Sequence, residues 1–329
     1  MRALAARSMR KTRALLIVAV TAAAFTLANS SASAAPVTIT LCAKPATATL
    51  TGAVSVPIWG FGLGSCATAT ASLPGPQLVV NEGDTVTVNI TNALPAGHTL
   101  TFEIPGVTFN AGAIDVAAGS TGTVSFTASA PGTYVYQAGG SEGRQAAMGL
   151  AGALIVNSLT AGQAYDTATT AYDTQATVVL GAVDPNFNAA PDTFDMYSYR
   201  GTYWLINGKA YPDTAGITAT AGQRVLLRYV NAGFDNTSMA LLGLHEHVVA
   251  RDAHLLNNPF DANAETIPAG ATEDAIATVP AGAACGSAVN DSTCRASTSS
   301  FSLRIGRFSG QGMGFTGGKC SSRRRAISR

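Results

Sequence analysis

Four histidines occur in 329 residues, and two of them flank one glutamate: His245-Glu246-His247. In an extended chain, residues two apart project from the same face, about 7 Å apart at their roots. Two imidazoles so placed can grip one metal ion, and imidazole suits copper, zinc or nickel. His254 follows seven residues on and reaches the pair only if the chain turns back. A zinc hydrolase needs an anchored third ligand, a bound water and an oriented base. Beyond Glu246 nothing speaks for one, and two solvent-facing histidines on a strand edge fit the pattern equally. His98 lies in the turn Ala96-Gly97-His98 and reads as an exposed loop histidine. Met148 and Met239 fall in apolar strand-like runs and read as core. Glu103 and Glu142 are candidates for a carboxylate pair, which spacing alone does not support. No nucleophile elbow, phosphate loop or nucleotide fingerprint is present. The Gly-rich stretch from Gly310 to Gly318 lacks the strand and helix that a phosphate loop requires.

The elements that would position these residues are strands. Short runs of β-branched and aromatic residues alternate with Gly, Pro, Asn and Asp, and no long helical period appears. In Thr85 to Asn92, Val86, Val88 and Ile90 alternate with polar residues, so one face is buried and the other is wet. The layout returns about 140 residues later. Leu78, Gly83, Val86, Val88, Ile90 and Asn92 correspond in spacing to Ile217, Gly222, Val225, Leu227, Tyr229 and Asn231. Ala118-Gly119 and Phe126 are echoed by Ala269-Gly270 and Ala277. A repeat at this distance points to duplicated domains rather than a short-period solenoid. The expected architecture is all-β, two tandem Greek-key β-sandwiches at 35–157 and 176–318, joined by a Thr- and Asp-rich linker at 158–175.

Composition bounds the rest. Apolar residues make up 47% and charged residues 12%, too apolar a balance for a disordered chain. No basic stripe with interleaved aromatics marks a nucleic-acid surface. Residues 1–34 read as a secretory signal: Arg2, Arg7, Arg10, Lys11 and Arg13, then an apolar run to Ala28, then Ala32-Ser33-Ala34 as a cleavage site. The run is shorter than the roughly 20 residues of a membrane span. Loss of this leader takes five basic residues from a total of 20 basic and 19 acidic, leaving a net charge of −4. Five of the remaining bases lie in the last eleven residues, so 319–329 is a basic tail on an acidic body. The expected location is outside the cell or on its surface, where thiols oxidise. Local pairing would join Cys42 to Cys66 and Cys285 to Cys294, leaving Cys320 over.

Several motifs together resemble the multicopper oxidase family of cupredoxin, or plastocyanin-like, domains. Leu73-Pro74-Gly75-Pro76, Glu82-Gly83-Asp84 and Asn92-Ala93-Leu94-Pro95 are similar to the opening of a first domain in that family. Pro131-Gly132-Thr133-Tyr134-Val135-Tyr136 and Ala147-Met148-Gly149-Leu150-Ala151-Gly152 through Val156 resemble its closing strands. Ile206-Asn207-Gly208 through Asp213, and Ser238-Met239 through Asp252, resemble a later domain. The resemblance implies a copper oxidoreductase that reduces dioxygen, with a blue site of two His and one Cys and a three-copper cluster held by four His-x-His pairs. In that frame the first pair falls on Thr101 and Glu103, the second on Gln137 and Gly139, and the later run on Ala240, Leu242 and Leu244. Such a site needs about ten histidines, and four cannot fill it. The usual oxidase mechanism is therefore excluded for this chain alone. The expected function is a copper-free scaffold with an unidentified protein or surface partner. The alternatives are a copper oxidoreductase of the family, or a weak copper binder through His245 and His247, with His254 a further candidate metal ligand. A closing strand after Gly317-Gly318 is expected to be missing, leaving an edge open to self-association.

Overall fold

The computed structural model describes residues 34–110, 114–241, 243–280, 300–303 and 305–308. The leader, Cys285, Cys294, Cys320 and everything from residue 309 on, including the expected loss of the closing strand, lie outside the described residues. The first half supplies β1 (Pro36–Leu50), β2 (Val54–Leu63), β3 (Leu78–Asn81), β4 (Thr85–Asn92), β5 (Leu100–Glu103), β6 (Ile114–Val116), β7 (Thr121–Thr127), β8 (Gly132–Gly139) and β9 (Ala151–Asn157), with a short α1 (Arg144–Ala147) before β9. One sheet runs β2-β1-β4-β7 and the facing one β3-β9-β8-β5-β6. The second half supplies β10 (Thr174–Val183), α2 (Pro185–Ala189), β11 (Tyr203–Ile206), β12 (Ile217–Thr220), β13 (Arg224–Asn231), β14 (Thr237–Leu241), β15 (Glu246–Arg251), β16 (His254–Ala262), β17 (Glu265–Ile267), β18 (Thr272–Thr278), β19 (Ser300–Leu303) and β20 (Ile305–Phe308). Here one sheet runs β11-β10-β13-β18-β15-β16, facing two small ones, β12-β19 and β17-β14-β20.

The repeat read from the sequence recurs strand by strand. β1 pairs parallel with β4, and β10 pairs parallel with β13. Val86 stands opposite Phe126, as Val225 stands opposite Ala277. The turns before β4 and β13 place Gly83 and Gly222 at φ 86° and 84°, a left-handed backbone that side chains resist. Each turn is bridged by a side chain: Asp84 accepts from the amide of Asn81, and Gln223 from that of Thr220. The buried asparagines match most closely. The Asn92 amide donates to the carbonyls of His98 and Val116, and its oxygen accepts from Leu94 N. Asn231 does the same for Asp235, Ile267 and Gly233. Each asparagine thereby satisfies backbone groups that the end of a strand would leave buried and unpaired.

Alternation fills the cores. Val86, Val88 and Ile90 are buried, and they pack with Phe61, Phe102, Phe109, Phe126 and Tyr136 in the first sandwich. Val225, Leu227, Tyr229, Met239 and Val248 fill the second. Met148 is buried as expected, but it closes the α1 turn rather than lying in a strand. Cys42 and Cys66 form the expected disulfide, joining β1 to the loop after β2.

The sandwiches meet along β8, β13 and β18. Val135, Ala153, Val179 and Val230 make a small dry cluster there. Beside it, Asp274 accepts from Thr133 Oγ1 (2.6 Å) and from the hydroxyl of Tyr165 (2.6 Å). Arg228 lies 3.5 Å from the same carboxylate and donates to Thr133 Oγ1 and Gln175 Oε1. Arg228 and Asp274 are each only 1% exposed. The connecting segment is part of this seam, since Ala164 and Tyr165 are buried against Leu226 and Val249. β10 starts at Thr174, two residues inside the expected linker.

Candidate functional site

The four first-domain positions that the copper frame assigns to ligands lie side by side. In the β5–β8 ladder Thr101 pairs with Gly139 and Glu103 with Gln137, while Phe102 pairs with Ala138 between them. Phe102 and Ala138 are fully buried in the first core. Alternation therefore turns Thr101, Glu103, Gln137 and Gly139 to the opposite face.

On that face the donor set is a carboxylate and amide couple. Gln137 Nε2 donates to Glu103 Oε1 at 2.7 Å. The Glu103 carboxylate covers Gly139 so closely that a Cβ there would meet its carbon and Oε2 at 2.5 Å. Any side chain at 139 must first displace Glu103. Thr101 Oγ1 donates to Asp115 Oδ1 across the β5–β6 pair. A copper cage of imidazoles does not fit this donor set, because Thr101, Glu103, Gln137 and Gly139 supply no imidazole nitrogen.

The backbone next to this face is strained. Residues 140–143 all have positive φ: Gly140 71°, Ser141 46°, Glu142 55° and Gly143 74°. For Ser141 and Glu142 the left-handed backbone costs roughly 1–2 kcal/mol each. Arg144 clamps the turn, donating to the carbonyls of Pro191 and Phe194 and pairing with Glu142 Oε2 at 2.9 Å. Phe234 closes over Gly143, where a Cβ would lie 2.6 Å from the ring. Glu142 and Glu103 thus serve different partners, Arg144 and Gln137, rather than forming a carboxylate pair.

The second-half positions are apolar. Ala240 is buried in β14 and Leu244 packs against the second core. Leu242 lies outside the described residues.

The histidines part company. His245 is exposed just ahead of β15. His247 is half-exposed and stands opposite Asp261, whose Oδ1 accepts from its Nδ1 at 2.7 Å. His254 is exposed and stands opposite Arg251 at the other end of the same hairpin, donating to the carbonyl of Asp252. Four residue steps along β15 separate the two ends, about 13 Å. The turn that would bring His254 to the pair runs the other way, because β16 folds back from Arg251 toward His247 with Asp261, not His254, arriving there. Among the described residues no group of three or more His, Cys, Asp or Glu is set to hold a metal. His98 is also not the exposed loop residue the sequence suggests. Its ring packs 4.5 Å from Trp59 and its Nε2 lies 3.4 Å from Asp192.

Three glutamates carry the unusual electrostatics: Glu246 and Glu82, read from the sequence only as members of motifs, and Glu273, which the sequence reading passed over. Glu246 is fully buried, accepts from the hydroxyl of Tyr229 at 2.8 Å and keeps Oε2 without a partner. Burial, then Glu265 nearby, outweighs that hydrogen bond and lifts its carboxyl to about 7. Burial lifts Glu273 to about 7 as well, against the opposing pull of Arg251. Glu82 reaches about 7 through burial and the adjacent Asp166. The available signal was an acid at an inward strand position, as in Glu246-His247-Val248 and Thr272-Glu273-Asp274.

Comparison with known proteins gives the fold its relatives. Residues 62–161 match the family model described as multicopper oxidase. The blue copper oxidase from Nitrosomonas europaea superposes with a TM-score of 0.65 at 22% identity, over 75% of this chain and 76% of that one. The copper nitrite reductase from Nitrosomonas europaea gives 0.61 at 20% identity, over 74% and 85%. The laccase from Botrytis aclada gives 0.61 at 20%, over 76% of this chain and 48% of that one. No curated protein matches. The resemblance to multicopper oxidases is real in sequence for the first sandwich and in fold for both, and the chain is all-β with cupredoxin-like sandwiches.

Proposed function

From this multicopper-oxidase-like pair of sandwiches, we propose that the chain is a secreted, non-catalytic binding or structural scaffold, acting outside the cell or at its surface. The observation that carries the reading is the Glu103 carboxylate lying 2.5 Å from where a side chain at 139 would begin, held there by Gln137. The ligand positions of the copper frame are occupied by this hydrogen-bonded couple and by Thr101 and Gly139, none of which offers an imidazole. The interlocked seam also suits a load-bearing or presenting role, since a buried Arg–Asp pair with two hydroxyl donors resists domain motion. The partner is a protein or a surface rather than a nucleic acid. No helix among the described residues is long and apolar enough to cross a membrane.

A weak surface copper site is the second reading, favoured by one contact. Asp261 can only accept, so His247 Nδ1 donates and its Nε2 lone pair is left free to bind a metal, with His245 two residues away. The family's copper oxidoreductase chemistry is the third. Expression of the exported chain with excess copper, followed by metal analysis, visible spectra and phenol oxidation, separates them. The scaffold reading expects no stoichiometric copper and no oxidation. One colourless copper lost in His247→Ala would support the surface site. Blue colour with several coppers per chain would sink the scaffold.

A further inference from the structure

Asp84 is 1% exposed and lies in the turn between β3 and β4. Both of its oxygens accept from backbone nitrogens: Oδ2 from Asn81 at 2.8 Å, and Oδ1 from Ala35 at 2.9 Å. None of the ion pairs among the described residues includes Asp84. The contact with Asn81 closes the turn, and a neutral side chain can do that. At the matching turn of the second sandwich, Gln223 accepts from the amide of Thr220 in the same way. A carboxylate at 84 is therefore more than the turn requires, and what it adds is the contact with Ala35.

Ala35 is the residue that follows the Ala32-Ser33-Ala34 cleavage signal. It is held on both sides: its nitrogen by Asp84, and its carbonyl by the amide of Thr85 at 3.0 Å. From the next residue β1 runs parallel to β4, with Pro36 opposite Thr85. Ala34 is exposed and lies over the turn, where a Cβ on Gly83 would be 3.3 Å from its methyl. Beside Gln223 the situation differs, because β10, the counterpart of β1, is entered from the connecting segment and has no chain end to receive.

We propose that the chain is cut between Ala34 and Ala35, and that the α-ammonium so formed on Ala35 makes an ion pair with Asp84 that locks β1 onto the first sandwich. Water hydrolyses the peptide bond with the help of an export-side peptidase. Its oxygen stays on the carbonyl carbon of Ala34 as a carboxylate, and the released amine of Ala35 takes up a proton. The same 2.9 Å contact then joins opposite charges, and Asp84 is out of water, where screening is weakest. The uncut chain has only an amide at that place, so the first sandwich reaches its full stability when the leader is gone. The inference rests on the exported reading and not on the scaffold reading.

The first test is N-terminal sequencing of the exported chain, which should begin at Ala35. The second compares its melting temperature at about pH 7 with that of a chain keeping Ala34, in which residue 35 is again an amide. The longer chain should melt lower by about 2 °C or more. With Asp84→Asn the two starts should melt alike. If that variant folds poorly, acetylation of the α-amine by acetic anhydride serves instead. It should run roughly tenfold or more slowly in the folded chain than in urea. A first residue other than Ala35 would overturn the cut and the pair together. A start at Ala35 with equal melting of the two chains would overturn the ion pair and leave export standing. So would a melting gap that persists in Asp84→Asn, or an amine acetylated as fast folded as unfolded.

Discussion

Taking the protein from about pH 5 to about pH 8 should weaken the second sandwich, and the size of the loss follows from Glu246 and Glu273. Both are essentially inaccessible, at 0% and 2% exposed, and each has one oxygen with no partner. Both carboxyls titrate at about 7 in the folded chain, against an ordinary value of 4.5. The folded state therefore binds more protons than the unfolded state across that interval. Stability from these groups is complete below about 4.5 and is lost as the pH rises through about 7. A gap of this size is worth on the order of 3 kcal/mol per group. The two lie close together, so their losses do not simply add. Against a total stability of about 5–15 kcal/mol, even one such loss is a large share. Urea titrations across this range should show the midpoint falling by roughly 1 M or more. Glu246→Gln keeps an acceptor for Tyr229 but cannot ionise, so it should flatten the trend and stabilise the protein above neutrality. A midpoint that is constant or rises with pH would show that these carboxyls are not held neutral. An unchanged slope in Glu246→Gln would place the effect elsewhere.

Other perturbations test separate parts of the fold. Asp274→Ala strands Arg228 without its anion inside the seam and should cost about 3–5 kcal/mol in urea unfolding. Asn92→Ala and Asn231→Ala each leave two carbonyls and one amide unsatisfied, and should each cost about 1–3 kcal/mol. If the two asparagines are equivalent, the two losses will be of similar size. Gly143→Ala drives a methyl into Phe234 and forces a residue with a side chain into a left-handed turn. It should lower the melting temperature, and Phe234→Ala in the same chain should recover the steric part only.

What could be read from the sequence was local or repeated. The alternation of Val86, Val88 and Ile90 gives a strand and its buried face directly, because period two is a property of neighbouring residues. Asn92 and Asn231 stand out because the same residue type recurs at the same spacing in two places. Cys42 and Cys66 join along a short stretch of chain. The seam was not legible, because Thr133, Tyr165, Arg228 and Asp274 lie far apart in sequence and share no pattern. His254 shows the limit most clearly. Seven residues of spacing leave the direction of the turn open, and the β15–β16 register sends Asp261 rather than His254 to His247. Glu82 is similar: it reads as part of a family motif at a turn, while burial first, and then Asp166 from a segment with no motif, raise its carboxyl.

The copper frame and the hydrophobic core occupy opposite faces of the same two strands, and this decides what such a chain can lose. Phe102 and Ala138 bind the first sandwich together; Thr101, Glu103, Gln137 and Gly139 are their neighbours and point away. Replacing residues on the outer face leaves every core contact in place. The strand ends are secured by Asn92 and Asn231, and the seam by Arg228 and Asp274, none of which is a copper ligand. These named contacts among the described residues hold without a metal. A fold of this kind can persist after its ligands change, provided each new polar side chain finds a partner. Glu103 with Gln137, and Thr101 with Asp115, meet that condition. Likeness of fold to copper enzymes suggests copper by resemblance alone; whether this chain holds it depends on the residues of the outer face.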